Sequence, residues 1–147
     1  ELCWFPEPIG AVDCYRAESP LPVLLHRAFP EARRISSRRS ATRRDRLTAR
    51  LPMLRPPHAE GGVGALRVEV RGATTDGARE TLVMGIAELV GSASAAVVAA
   101  MITELTNNGL PTGLVIPGAK ELPTHRLLHH VQEHGVRIQE FTGQPSD

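Results

Sequence analysis

Apolar and polar side chains alternate from residue 65 to residue 70, and a largely apolar run follows from 81 to 87. A period of two is typical of a half-buried β-strand, because successive side chains point to opposite faces of a sheet. Between the two runs lies Asp76-Gly77, a dipeptide that strongly favours a tight hairpin turn. The sequence therefore predicts an antiparallel β-hairpin, and the apolar positions of its first strand are Leu66, Val68 and Val70.

Two helices are predicted after this hairpin. The first covers residues 93–108 and stops at Gly109, in the C′ position where glycine is favoured. The second covers residues 123–134 and is capped by Gly135. The predicted inward faces are Val97, Val98, Met101, Ile102 and Leu105 on the first helix, and Leu127, Leu128 and Val131 on the second. If Leu105 is buried in this way, Leu105→Asp should unfold the domain.

Shorter elements are predicted towards both ends of the chain. Residues 2–5 and 11–15 are β-favouring runs separated by a turn with two prolines and a glycine. Ser19-Pro20 begins a short helix that Pro30 ends, with an apolar face of Leu21, Leu24, Leu25 and Ala28. Short strands are expected at 113–116 and 136–141. Together these elements predict an α+β fold, with a mixed or largely antiparallel sheet and helices packed mainly on one face.

Length and composition fit one soluble domain, residues 1–147. With 41% hydrophobic and 22% charged residues, the chain is neither a disordered nor a fibrous protein. The longest weakly polar stretch, 92–102, is far shorter than the roughly 20 residues of a membrane-spanning helix. No secretory signal is recognisable, so we expect a cytoplasmic protein without a membrane partner. Because the sequence begins with Glu1 rather than Met, we expect a trimmed fragment of a longer protein.

Positive charge is concentrated in one segment. Residues 31–55 contain nine arginines against two acidic residues, a balance of +7, while the remainder has 8 basic and 14 acidic residues, a balance of −6. Leu47, Leu51 and Leu54 are spaced for a helix with one apolar stripe, and residues 55–64 have the composition of a linker. We predict that residues 31–64 form a basic, partly mobile segment. It lacks aromatic residues for base stacking, which favours a solvated or domain-docking face over nucleic-acid binding.

Common catalytic and cofactor-binding motifs are missing. Gly61-Gly62-Val63-Gly64 does not complete GxGxxG, and residues 91–95 do not match GxSxG. The sequence therefore predicts no cofactor site and identifies no catalytic residue.

Histidines and cysteines are the remaining candidate metal ligands. Four histidines, at 125, 129, 130 and 134, have the i, i+4 spacing that can place two imidazoles on one metal ion. No HExxH pattern accompanies them and they border an apolar stripe, so we predict a solvated face and no metal site. Cys3 and Cys14 fall opposite each other if residues 6–10 form a turn, and two buried thiols are favoured over a disulfide.

The densest polar group beside a predicted strand end consists of Tyr15, Arg16 and Glu18, followed by Ser19. Ligand sites often gather at such ends, which makes these three residues candidates for substrate binding. The alternative interpretation is a plain strand terminus in which Ser19 caps the following helix.

Two segments carry a family resemblance. CWFPEPIG at residues 3–10, followed by VDCY at 12–15 and ESP at 18–20, resembles the segment after the dinucleotide-binding domain of saccharopine dehydrogenase-like oxidoreductases. LRVEVRG at 66–72, with its hairpin and an Ala/Val-rich helix ending in glycine, resembles the second half of the same domain. The resemblance covers residues 1–28 and 64–142.

The resemblance implies a C-terminal substrate-binding and dimerisation domain. In that family an N-terminal Rossmann domain binds NAD(P), so this fragment would hold no cofactor and be inactive without that missing domain. A homodimer is the expected assembly. Tyr15, Arg16 and Glu18 stay candidates from their location alone. The alternative is a free-standing small binding or regulatory α+β domain without catalytic activity.

Overall fold

The computed structural model describes residues 1–41, 47, 62–107, 109–116 and 118–141. Within these residues the chain forms an α+β fold, as predicted, with two three-stranded antiparallel sheets in the orders β1-β2-β3 and β4-β5-β6. The elements are β1 (Leu2–Phe5), β2 (Gly10–Arg16), α1 (Leu21–Ala28), β3 (Arg38–Ser40), β4 (Val63–Ala73), β5 (Arg79–Leu89), α2 (Val90–Thr106), α3 (Thr124–Glu133) and β6 (Gln139–Glu140).

The hairpin of β4 and β5 is the largest element of the fold. Its ladder is continuous from Val63 opposite Leu89 to Ala73 opposite Arg79, so both strands are longer than the alternation predicted. Gly77 closes the turn with a φ of 86°, a backbone conformation that costs glycine little. The Ala78 N–H and the Thr74 hydroxyl both donate to the Asp76 carboxylate. The prediction of an Asp-Gly hairpin is confirmed.

The N-terminal sheet contains one strand that the sequence did not reveal. β1 and β2 pair around a turn with a cis peptide bond between Glu7 and Pro8. β3 then pairs with the end of β2, placing Arg38 opposite Arg16. β3 lies inside the segment predicted to be basic and partly mobile, and its three residues are all polar. The helix expected around Leu47, Leu51 and Leu54 falls, apart from Leu47, outside the described residues.

The main core lies between α2 and α3. It consists of Ala96, Ala100, Leu127, Val131 and Val136, with Ile86 of β5 packed against it. The predicted inward face of α2 is therefore wrong: Val97, Val98, Met101, Ile102 and Leu105 are the exposed positions, and Leu105 is 62% exposed. On α3, Leu127 and Val131 are buried as predicted, whereas Leu128 is exposed. Small side chains form the contact because they allow the two helices to approach closely.

Glycines shape both helix ends. Gly135, with a φ of 90°, donates its N–H to the Gln132 carbonyl while Val136 donates to Val131, which together form the predicted C-terminal cap of α3. At the end of α2 the Gly109 N–H donates to the Glu104 carbonyl. Because this hydrogen bond spans the six residues from 104 to 109, Gly109 occupies the C″ position, one residue beyond the predicted C′.

The two faces of the β4–β5 sheet are covered differently from the prediction. Pro6 and Phe141 pack onto Gly85, on the face that also carries Arg67 and Glu69. The opposite face holds the apolar positions, and the helices cover it only near Ile86. Four of its side chains are left exposed: Leu66 (55%), Val68 (50%), Val70 (57%) and Leu82 (37%). The alternation correctly predicted a strand, but its apolar face is the open one.

Two minor strand predictions also differ. Residues 113–116 form no strand, and Gly113 has a φ of 95° that would interrupt one. The final strand is limited to β6, although the Phe141 N–H still donates to the Val83 carbonyl at 2.9 Å.

Candidate functional site

A shallow cleft of about 360 Å³ opens where β2 ends, α1 begins and the loop before β3 passes. Two guanidinium groups and two hydroxyl groups line it, together with three apolar residues. The lining residues are Arg16, Ala17, Pro22, Arg34, Ile35, Ser36 and Ser37.

Backbone pairing fixes the walls of this cleft. The Ala17 N–H donates to the Ser37 carbonyl at 3.3 Å, which extends the β2–β3 pairing and brings residues 16 and 34 to one place. The Leu21 N–H donates to the Ser19 hydroxyl at 3.2 Å, so Ser19 holds the start of α1. Pro22 then lies in the first turn, where its missing N–H costs nothing. The N-cap residue of α1 is Pro20 rather than the predicted Ser19, whose hydroxyl instead accepts from the first helical N–H.

Positive charge dominates the cleft. Arg16 lies opposite Arg38, and Arg38 forms an ion pair with Glu1 that holds the pKa of the Glu1 carboxyl below its usual value. Among the described residues, those that line the cleft include no acidic residue, histidine or cysteine. Two guanidinium groups beside two hydroxyls can bind an anionic group through charge-assisted hydrogen bonds.

Of the three residues predicted from the sequence, the cleft includes Arg16. Tyr15 is exposed and, because it directly precedes Arg16 in β2, projects from the opposite face of the strand. Glu18 is exposed in the connection to α1 and is outside the lining. Sequence reasoning missed Arg34, Ser36 and Ser37, because Arg34 is one of many arginines in a segment without periodicity.

A second polar cluster joins α2 to α3. Glu104 of α2 is 2% exposed, and its carboxylate contacts Arg126 at 2.9 Å and His130 at 3.2 Å, both on α3. The other ring nitrogen of His130 lies 2.8 Å from the Glu133 carboxylate. The hydrogen bond to Glu133, helped by Glu104, raises the pKa of His130, and the same bond lowers the pKa of Glu133. Both ring nitrogens lie beside carboxylates, which stabilise the imidazolium form more than water does.

The histidines do not converge on a metal site. His130 points to Glu104 and Glu133, while His129 lies 3.5 Å from the other oxygen of Glu133. Throughout the described residues, no group of three or more His, Cys, Asp or Glu side chains is arranged to hold a metal ion. The contacts of Glu104 with Arg126 and His130 connect α2 to α3.

The two cysteines are buried free thiols. The register places Cys3 opposite Val12, so Cys14 lies two residues farther along the same face rather than directly opposite Cys3. Burial, then a hydrogen bond with Cys3, raises the pKa of the Cys14 thiol to about 11. Such a thiol stays protonated at neutral pH and is a poor nucleophile.

Comparisons with protein families, with curated proteins and with solved structures found no match for this chain.

Proposed function

We propose that this chain is the C-terminal substrate-binding and dimerisation domain of a saccharopine dehydrogenase-like NAD(P)-dependent oxidoreductase. In this proposal an N-terminal Rossmann domain holds NAD(P), and the domain described above is inactive without it. The proposal draws on the resemblance of residues 3–20 and 66–72 to that family, and on the open surfaces of the fold.

The observation that carries the proposal is the exposed apolar face of the β4–β5 sheet. Leu66, Val68, Val70 and Leu82 lie side by side on it, because Val70 pairs with Leu82 and the remaining two alternate along β4. Contiguous apolar surface of this kind marks a place where another domain or subunit binds. A domain that works within a larger, dimeric enzyme needs such a face.

The cleft at Arg16 and Arg34 supports the substrate-binding half of the proposal. Its two arginines suit a substrate with an anionic group. None of the helices in the described ranges is long and apolar enough to span a membrane.

Calorimetry tests the prediction that this chain does not bind NAD(P). NADH and NADPH are titrated separately into the 147-residue chain, and we expect no binding because the sequence lacks the glycine-rich turn that receives the pyrophosphate. Micromolar binding of either dinucleotide would contradict the proposal. The native reading frame supplies an independent check: a GxGxxG motif upstream supports the oxidoreductase, whereas a start codon close to Glu1 supports the free-standing binding or regulatory domain.

The binding of two dianions, succinate and inorganic phosphate, tests the proposal that the cleft binds a substrate. We expect Arg16→Ala and Arg34→Ala each to weaken binding of the better probe about tenfold, the effect of losing one charge-assisted hydrogen bond. Arg27→Ala is the matched control, since Arg27 is an exposed arginine of α1 outside the cleft lining. Equal losses in all three variants, or no binding of either probe, would remove the cleft from the proposed site.

A further inference from the structure

The edge of β4 that faces away from β5 is a prominent surface feature of the sheet. β4 is 11 residues long and contains neither proline nor lysine, the residues that often protect an edge strand. Its continuous register with β5 shows no bulge. In the described ranges, β5 is its one hydrogen-bonded neighbour. An open edge of this length is a template for another strand.

The backbone groups that face this edge can be identified from the ladder. The Val83 carbonyl accepts a hydrogen bond from Phe141, beyond β6, so Val83 and its partner Glu69 form a non-hydrogen-bonded pair between β4 and β5. The N–H and C=O of Glu69 therefore point to the open edge. By alternation, those of Arg67 and Arg71 point there too.

We infer that two copies of this chain pair antiparallel along their β4 strands, about a two-fold axis at Val68, to form one continuous six-stranded sheet. This inference deepens, and rests on, the dimerisation part of the proposed function. An isologous contact brings the same segment of each copy together in reverse order, which is the geometry of an antiparallel strand pair.

Charge pairing between the two β4 strands selects the register of the dimer. With the axis at Val68, Arg67 lies opposite the partner subunit's Glu69, and Glu69 lies opposite the partner subunit's Arg67. A shift of the axis to Glu69 would instead place two carboxylates opposite each other, which is destabilising. An axis at Val70 also pairs opposite charges, but it uses only residues 67–73 of each strand. The axis at Val68 uses all 11 residues, because Val68 is the centre of Val63–Ala73.

Side-chain contacts agree with the same register. On the apolar face, Leu66 lies opposite the partner subunit's Val70, and the two Val68 side chains meet on the axis. On the charged face, Arg67 and Glu69 are mostly buried and already paired at 2.6 Å. The Arg67 Nε atom is buried without a hydrogen-bond partner among the described residues. The partner subunit's Glu69 would bring a second carboxylate to that donor.

A charge exchange tests the pairing. The dimer dissociation constant of the 147-residue chain is measured by sedimentation equilibrium, with circular dichroism to confirm folding. We expect Arg67→Glu and Glu69→Arg each to weaken the dimer at least tenfold, since each creates a like-charge pair across the axis. The double variant Arg67→Glu/Glu69→Arg should recover most of the affinity. A dimer unaffected by all three changes would overturn edge pairing while leaving dimerisation, and hence the proposed function, intact.

Cysteine cross-linking tests the register without disturbing these charges. At a non-hydrogen-bonded pair the Cα atoms are about 4.5 Å apart, within the range of a disulfide. Under oxidised glutathione, two Val68→Cys thiols lose their hydrogens and form a bond between subunits as glutathione is reduced. We expect a covalent dimer of Val68→Cys, and none of Val70→Cys or the parent chain with its two buried thiols. Cross-linking of Val70→Cys instead would overturn the register. No cross-link in any arm would overturn the pairing along β4, and a monomer by sedimentation equilibrium as well would overturn the proposed dimerisation.

Discussion

Glu104 is a charged residue buried in the contact between α2 and α3. Its buried carboxylate is paired with Arg126 and His130, as a buried charge must be to avoid a large desolvation cost. Gly109 makes room for this arrangement, because a Cβ atom there would collide with the Glu104 carboxylate and lie 2.8 Å from the Arg126 guanidinium. The constraint on Gly109 is thus the space beside it, whereas Gly135 is constrained by its positive φ.

Replacement of Gly109 tests this explanation. We expect Gly109→Ala to lower the free energy of unfolding by about 1 to 3 kcal/mol, the usual cost of overpacking, because the buried Glu104 carboxylate has to move away from its contact with Arg126. Gly91→Ala is the control: Gly91 lies in α2 with open space around its Cα, so the change should be neutral or stabilising by up to about 1 kcal/mol. Urea denaturation measures both. Equal stability of the two variants would contradict the packing constraint.

His130 should make the stability of the protein depend on pH. Its pKa is raised in the folded state, mainly by Glu133, so its contribution to stability is fully present below the unfolded pKa of about 6.5. It is lost as the pH rises through the higher folded pKa. Glu133 has a lowered pKa, so its contribution is lost in acid instead. Urea midpoints above pH 6.5 should fall with pH in the native chain and fall less in His130→Gln. If the exposed His125→Gln flattened the profile equally, the assignment to His130 would be wrong.

At the scale of elements, the sequence predicted those that depend on local signals. The hairpin followed from alternation and Asp76-Gly77, and the end of α3 from Gly135. The buried face of α2 could not be predicted from its periodicity, because apolar residues surround most of that helix and no polar side marks the solvent. Close packing against α3 selected Ala96 and Ala100 over the larger side chains. β3 was missed for a similar reason, since three polar residues carry no strand pattern.

The observed orientation of α2 changes the expected effect of a substitution at Leu105 and predicts the effect of one at Ala100. Leu105→Asp, predicted from the sequence to unfold the domain, should lower the free energy of unfolding by less than about 1 kcal/mol because Leu105 is exposed. Ala100→Leu should cost about 1 to 3 kcal/mol, since Ala100 is 1% exposed between the helices. Chemical denaturation compares the two variants. A larger loss in Leu105→Asp would restore the orientation predicted from the sequence.

For the whole molecule, the sequence located one wall of the candidate site and not the other. Arg16 was found because it stands in a dense polar group at a strand end. Arg34 lies at the same cleft because β2 pairs with β3. This pairing joins residues that are far apart in sequence, and no local sequence pattern predicts it. Which of the two sheet faces is open could not be predicted either, because an apolar face that binds another protein has the same alternation as one that forms a core.

The molecular mass in solution shows whether the chain forms the proposed dimer. Light scattering of the 147-residue chain, over a range of protein and salt concentrations, should give about twice the 15.9 kDa of one chain at micromolar concentration. Added salt should leave most of the dimer intact, because backbone hydrogen bonds and apolar contacts are weakly screened. A mass that stays near 15.9 kDa at high micromolar concentration would contradict the account. Sharp dissociation with salt would contradict it as well, because the interface would then lie on the arginine-rich segment rather than on the sheet.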